Sequence, residues 1–177
     1  DNNKIYSTAI SEDRKKVLVY KMRFVGDELT LMCKRLDENL GISDSLRYVF
    51  NYNKYRDVYT NLQIANDGSI VFAKQITKGN RETSNHGEIF TISENALKYQ
   101  VMPIDLGDKY IDDIRIKIDN LNRNFLINSF YYTKKNGNIE GLYTALMNHY
   151  SALEKQAFIV FPDSLRARIS EGKYRSA

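Results

Sequence analysis

The sequence predicts an all-β protein, and three observations carry the prediction. An alternating apolar segment, a polar turn and a short unbroken apolar run follow one another three times: TAISEDRKKVLVYKM over residues 8–22, NLQIANDGSIVFAKQ over 61–75 and IRIKIDNLNRNFLINSF over 114–130. Ile10, Ile64 and Ile118 stand at equal intervals of 54 residues, so the pattern keeps its register across both repeats. Finally, 13 Tyr and 8 Phe stand against only 2 Pro, with Asn, Asp and Gly gathered between the apolar stretches. That composition favours strands joined by tight turns over helices.

The elements follow in order. In the first unit, residues 6–11 form the first outer segment, Glu12 to Lys15 a turn, and Val17 to Tyr20 a run apolar on both faces, which calls for cover on both sides. Residues 23–26 read as a short connection, residues 28–36 alternate through Leu29, Leu31 and Cys33, and Leu46, Tyr48 and Phe50 mark a fourth strand. The second unit repeats this with Leu62 and Ile64, the turn Asn66-Asp67-Gly68, the run Ile70-Val71-Phe72, a third strand over 88–93 and a fourth over 98–105. The connection over 76–87 is longer than its counterpart in the first unit.

In the third unit Ile114, Ile116 and Ile118 keep a strict period of two ahead of Phe125-Leu126-Ile127, and further strands fall at 142–146 and 157–161. A helix over 141–156 is the rival reading, since Leu142, Ala145, Leu146 and Leu153 could share a face. The match of Leu142-Tyr143-Thr144 to Ile89-Phe90-Thr91 argues for strand. Beyond Pro162, Asp163 is placed to cap a short helix carrying Leu165 and Ile169, ahead of a basic tail. Because Ile70 and Leu126 lie in runs expected to be covered on both faces, Asp at either position is expected to prevent folding.

The predicted architecture is therefore three four-stranded antiparallel units of about 54 residues, spanning roughly 6–57, 58–110 and 111–162 of one β-repeat domain (1–162), with 163–177 as a tail or short helix. Repeats of this size match propeller blades, and about four to eight blades are needed to close a ring, so three imply a partial or open propeller. The chain starts without Met or a signal-peptide pattern, and is read as a piece of a longer protein or a processed product.

Composition excludes several function classes. No apolar run reaches the roughly 20 residues that cross a bilayer as a helix. The 26 Lys and Arg and 22 Asp and Glu are mixed along the chain without a block of one sign, which argues against nucleic acid as a partner. Cys33 is the sole cysteine, so no internal disulfide or Cys/His zinc site is available, and a buried apolar role is expected. His86 and His149 fall in different units without a metal-ligand spacing. Asn66-Asp67-Gly68 looks like part of an Asp-box, but there is no Trp and the sister turns do not keep it, so it reads as a hairpin turn. No nucleophile motif or Gly-rich phosphate loop occurs, and neither catalytic residues nor a cofactor or metal are expected.

Two features remain as candidate surfaces. Connections after the second strands are basic, with Lys21 and Arg23, then Lys74, Lys78 and Arg81, then Lys134 and Lys135. On a propeller they share one rim with the tyrosines Tyr52, Tyr55 and Tyr59 and with the acidic stretch Asp105, Asp108, Asp112 and Asp113, where Lys109 intervenes.

The string IDLGDKYIDDIRIKIDNLNRNFLINSFYYTKKNGNIEGLYTALM from residue 104, with IANDGSIVFAKQ before it, resembles a group of uncharacterised bacterial cell-envelope proteins with propeller-like repeats. The resemblance covers about residues 6–161 and implies an extracytoplasmic repeat domain within a longer chain, carrying no catalytic residues. The function expected on these grounds is a non-enzymatic binding or scaffolding module for a protein or surface polymer, held to the remainder of its parent chain. The alternatives are a glycan-directed enzyme using the carboxylates of 105–113, or a purely structural segment.

Overall fold

Period-two alternation becomes a sheet face only when a neighbour covers it, and the strand pairings show which faces are covered. The computed structural model describes residues 5–77, 84–94, 96–134 and 137–174, with side chains described to 169. A first sheet runs β1 (Ser7–Ile10), β2 (Val17–Val25), β3 (Glu28–Leu36) and β4 (Ile42–Asn51), each antiparallel to the next. In the second, β5 (Asp57–Tyr59) and β6 (Gln63–Ile64) share one edge of β7 (Ile70–Thr77), followed by β8 (Ser84–Ile92) and β9 (Gln100–Ile104). In the third, β10 (Tyr110–Ile111) and β11 (Arg115–Asp119) share one edge of β12 (Asn124–Tyr132), followed by β13 (Gly141–Asn148) and β14 (Leu153–Val160).

β10 also pairs with β8 through Ile111 and Ser84, which joins the second and third runs into one ten-stranded sheet whose two halves are the second (middle) and third sheets. The helix α1 (Asp163–Tyr174) closes the described chain and is tied down by Arg166, which pairs with Glu140 and Asp163. Among the described residues no helix is long and apolar enough to cross a membrane.

Two apolar seams hold the sheets face to face. In the first, Leu18, Leu29, Leu31 and Phe50 of the first sheet meet Ile70, Phe72, Phe90 and Ile92 of the second, with Phe72 and Phe90 stacked at 5.0 Å between ring centroids. In the second, Val71, Ala73 and Ile89 meet Phe125, Ile127, Tyr143 and Met147 of the third. Consecutive residues of β7 thus serve opposite seams, and Ile70 through Ala73 are all completely buried. The unbroken run in this strand is the signature of a sheet covered on both faces.

The flanking sheets differ. β2 and β12 alternate buried with half-exposed positions, so the runs Val17-Leu18-Val19 and Phe125-Leu126-Ile127 are covered on one face only. Leu126 points away from the seam, which corrects the expectation that it is doubly covered. Gly26 (φ 57°) and Asp27 make a two-residue hairpin, so β2 runs on to Val25. Lys21 and Arg23 are consequently strand residues and not part of a connection. The rival helix over 141–156 is replaced by β13, a turn at Asn148 and β14, in line with the strand reading.

One fully buried charged side chain among the described residues crosses the first seam. Arg35 is 1% exposed, pairs with Asp44 on the adjacent strand and donates through Nη2 to the carbonyls of Ile92 (3.1 Å) and Ser93 (3.2 Å). Cys33 lies beside it in the same seam, and burial pushes its thiol pKa up to about 11.

Two outcomes are expected. Ile70→Asp places a charge in a doubly covered strand and costs well over about 4 kcal/mol, enough to unfold the chain, whereas Leu126→Asp costs about 1–2 kcal/mol and leaves it folded; urea unfolding followed by circular dichroism separates them. Cys33 is buried and almost wholly protonated at pH 8, so an aromatic disulfide reagent titrates one thiol only after denaturant is added.

Candidate functional site

Glu12, Asn66 and Asn120 sit at equivalent places in the turns that open the three sheets, and they meet. The Asp13 N–H donates to Asn66 Oδ1 (3.1 Å) and the Asn66 N–H donates to Asn120 Oδ1 (2.8 Å). Asn120 Nδ2 closes the circuit on Glu12 Oε2 (2.7 Å). The turns share a backbone device as well as position: Arg14 (φ 60°), Gly68 (φ 84°) and Arg123 (φ 57°) are all left-handed. Only the middle turn fills that place with glycine, and each arginine there costs roughly 1–2 kcal/mol relative to an unstrained conformation. The geometry is kept while the residue changes.

Alongside these turns the opening strands are interrupted, and the breaks form a groove. Thr60 exchanges bonds with Ala73 between β5 and β6, its N–H donating to the Ala73 carbonyl and the Ala73 N–H donating to Thr60 Oγ1. Between β10 and β11, buried Gln75 donates through Nε2 to the Asp112 carbonyl (2.6 Å), and its Oε1 accepts the Ile114 N–H (3.4 Å). A cavity of about 420 Å³ opens there, lined by Tyr59, Gln63, Gln75, Asp113 and Arg115 among others.

Gln63 and Ile116 are shared with a second cavity of about 340 Å³ bounded by Ile10, Glu12, Ile64 and Lys117. Ile118 and Asn120 are shared in turn with a third of about 260 Å³, where Asn66, Asp67, Arg123 and His149 surround Phe125. The three adjoin through these shared residues along the strands where the sheets converge, and the middle one mixes Ile10, Ile64, Ile116 and Ile118 with Glu12, Gln63, Lys117 and Asn120.

The third cavity carries an ion pair, Arg123 Nη2 to Asp67 Oδ2 at 3.5 Å. Burial opposes ionisation of Asp67, but hydrogen bonds from Ser69 and the charge of Arg123 outweigh it and hold the carboxyl below its ordinary value. At the opposite rim Tyr59 Oη is buried without a hydrogen-bond partner among the described residues. Burial first, then the Asp57 and Glu88 carboxylates, pushes its pKa up.

The residues singled out from sequence are distributed differently. Lys74 lies inside β7, its ammonium 3.1 Å from Asp57 and 3.9 Å from Glu88, so it is an internal ion-pair partner and not a loop cation. Tyr52 packs on Phe24 at 4.6 Å and on Tyr59 at 6.4 Å, while Tyr55 is 64% exposed. Lys134 is exposed; Lys78, Arg81 and Lys135 lie outside the described residues.

The acidic stretch does not converge. Asp112 accepts from Tyr132 Oη (2.9 Å), Asp105 from the Gly107 N–H, Asp108 pairs with Lys109 in solvent, and only Asp113 lines a described cavity. His86 stands 3.6 Å from Glu88, far along the chain from the groove residue His149. No motif marks Glu12, Gln63, Gln75, Ile116 or Asn120. The 54-residue spacing reaches two of them, since it aligns Glu12 with Asn66 and Asn120.

No family model and no curated protein matches this chain. Solved structures do. A mutant of the Synechocystis apocarotenoid oxygenase superposes with a TM-score of 0.54 at 9% identity, over 88% of this chain and 38% of that one. A cobalt-substituted form of the Synechocystis oxygenase gives 0.53 at 9% over 86% and 38%, and an ACO/RPE65 chimera 0.52 at 8% over 86% and 39%.

The fold is therefore β-propeller-like, and the chain spans less than half the length of the proteins that share it. This corrects the expectation of a non-enzymatic binding or scaffolding module, with its glycan-directed and purely structural alternatives, because the solved structures that share the fold are of apocarotenoid oxygenases. One of those proteins is described with cobalt, but among the described residues here no group of three or more His, Cys, Asp and Glu could hold a metal ion. In the groove's middle Glu12 is the one described side chain of these four types, beside Ile10, Ile64, Ile116 and Ile118. The described residues do not fit a metal centre.

Asn120→Ala removes both its links to the neighbouring turns and is expected to cost about 1–2 kcal/mol in urea unfolding, whereas Asn124→Ala, whose side chain makes no such link, changes stability by less than about 0.5 kcal/mol.

Proposed function

We propose that this chain supplies one side of a larger propeller enzyme, joined to the remaining blades of its parent protein, and that its groove forms part of the substrate channel. The observation that carries this reading is the continuity of the groove along β5, β6 and β11, where the sheets converge. Ligand sites gather where a few polar groups punctuate an apolar concavity, and this one has Gln63, Asp113 and Arg115 at one end and Asn66, Arg123 and His149 at the other. The likeness to oxygenases supports an enzyme as the setting.

The ligand that suits the path is elongated and amphipathic, with an apolar body to meet Ile64, Ile116 and Ile118 and polar groups within reach of Gln63 and Asn120. An apocarotenoid has that form, and the name of the Synechocystis protein makes it the first compound to try. The residues of this chain would hold and orient such a molecule: Ile116 and Ile118 cover part of its body, and the Gln63 amide receives a carbonyl or hydroxyl at its end. With no fitting donor set here, no chemical step is assigned to these residues.

Titration with an apocarotenal, read by its absorption shift and by quenching of tyrosine emission, is expected to give saturable binding. Ile116→Arg, which fills the junction of the first two cavities, should weaken it by at least about tenfold, with circular dichroism unchanged. Absence of saturable binding to the unaltered chain would defeat the proposal.

A further inference from the structure

The register of the outer sheets leaves two faces without a partner. On the first sheet Leu18, Tyr20, Leu29 and Leu31 are used by the seam, so the alternate residues face outward. Val19 pairs with Lys34, Lys21 with Met32 and then Arg47, and Arg23 with Thr30 and then Val49. The result is a half-buried apolar strip of Val17, Val19 and Met32 flanked by the cations of Lys21, Arg23, Lys34 and Arg47, against one carboxylate, Glu28. Among the described residues none of these four cations makes an ion pair.

The outward face of the third sheet repeats this composition. Leu126, Leu142 and Leu146 form its strip, and Arg115, Lys117 and Lys155 stand around it with Asp119 and with Glu154 in the bulge beside Lys155. Two faces of like sign, brought to the roughly 10 Å of packed sheets, repel within a Debye length.

The filled seams show what such a face pairs with. In each, the cation comes from a flanking sheet and its acceptor from the middle one. Lys16 reaches Glu94 at 2.7 Å, Arg35 reaches the carbonyls of Ile92 and Ser93, and Arg123 reaches Asp67 at 3.5 Å. The middle sheet is the acidic partner of both neighbours.

We infer that the outer faces of the first and third sheets are stacking faces for further antiparallel sheets that present carboxylates around an apolar centre, and that a second copy of this chain is not the occupant of either. The inference rests on the chain being part of a larger propeller and makes no use of the groove's ligand. It names the chemistry of the missing neighbours: a blade with the charge pattern of the middle sheet.

Sedimentation velocity tests it. The unaltered chain is expected to be monomeric from low to high salt. Arg23→Glu/Lys34→Glu/Arg47→Glu, all at exposed positions, turns the first face acidic, so that it docks on the basic third face of the next copy. This variant should associate at low salt, dissociate as salt is raised, and return to monomer when Lys155→Glu is added.

The double variant Lys34→Glu/Arg47→Glu serves if the triple one does not fold, and is expected to associate more weakly with the same salt dependence. Salt-sensitive self-association of the unaltered chain, or a folded reversed variant that stays monomeric at low salt, overturns the inference. Apocarotenal binding, read separately, is unaffected by these substitutions, so failure here and failure of the groove reading are distinguishable.

Discussion

The structure depends on one constraint: the middle sheet is covered on both of its faces. β7 has no solvent side, so its successive residues divide between two cores, and everything else is arranged to supply those cores. The first and third sheets each give one face and keep the other half-exposed. Since β-sheets stack with their own right-handed twist, three in succession bring their opening strands together at one edge. That edge is where the turns of Glu12, Asn66 and Asn120 meet and where the groove runs. A site placed this way owes its position to packing, and its chemistry only to the residues left unburied there.

The groove also exists because its walls are imperfect strands. Continuous pairing along β7 and β12 would leave no room between neighbouring sheets at the edge. Instead Thr60 and Gln75 satisfy backbone groups where the ladder breaks, so the openings lose few hydrogen bonds. Glutamine suits this work because one amide donates and accepts at once, toward Asp112 and Ile114. Strain is accepted beside it: Arg14 and Arg123 hold left-handed backbone where glycine would be relaxed.

Much of the fold was legible in the sequence because period-two alternation and repeat spacing are local signals. The alignment of Leu142-Tyr143-Thr144 with Ile89-Phe90-Thr91 identified β13 against a plausible helical face, and residues 28–36 were read at their actual bounds. What failed depended on neighbours. An apolar triplet such as Phe125-Leu126-Ile127 looks the same whether one or both faces are covered, and only position in the stack makes Leu126 an outer residue. Lys74 looks like a loop cation until β5 is found to bring Asp57 beside it. The groove was invisible for a related reason: Gln63 and Ile116 carry no motif, and their partnership is made by the breaks in pairing.

Arg35 has a consequence for motion. A linear stack of repeats frays from its ends, each terminal unit opening at the cost of one interface. Here the first sheet is tied by a guanidinium sunk in the seam, whose acceptors are main-chain carbonyls at the end of β8. Opening that end strips the guanidinium of its two carbonyl acceptors while Asp44 of its own sheet stays with it, and so raises the barrier to partial detachment above that of apolar contact alone. The amides of β3 and of the end of β8 should therefore exchange with solvent together, as one cooperative unit that crosses the boundary between two sheets.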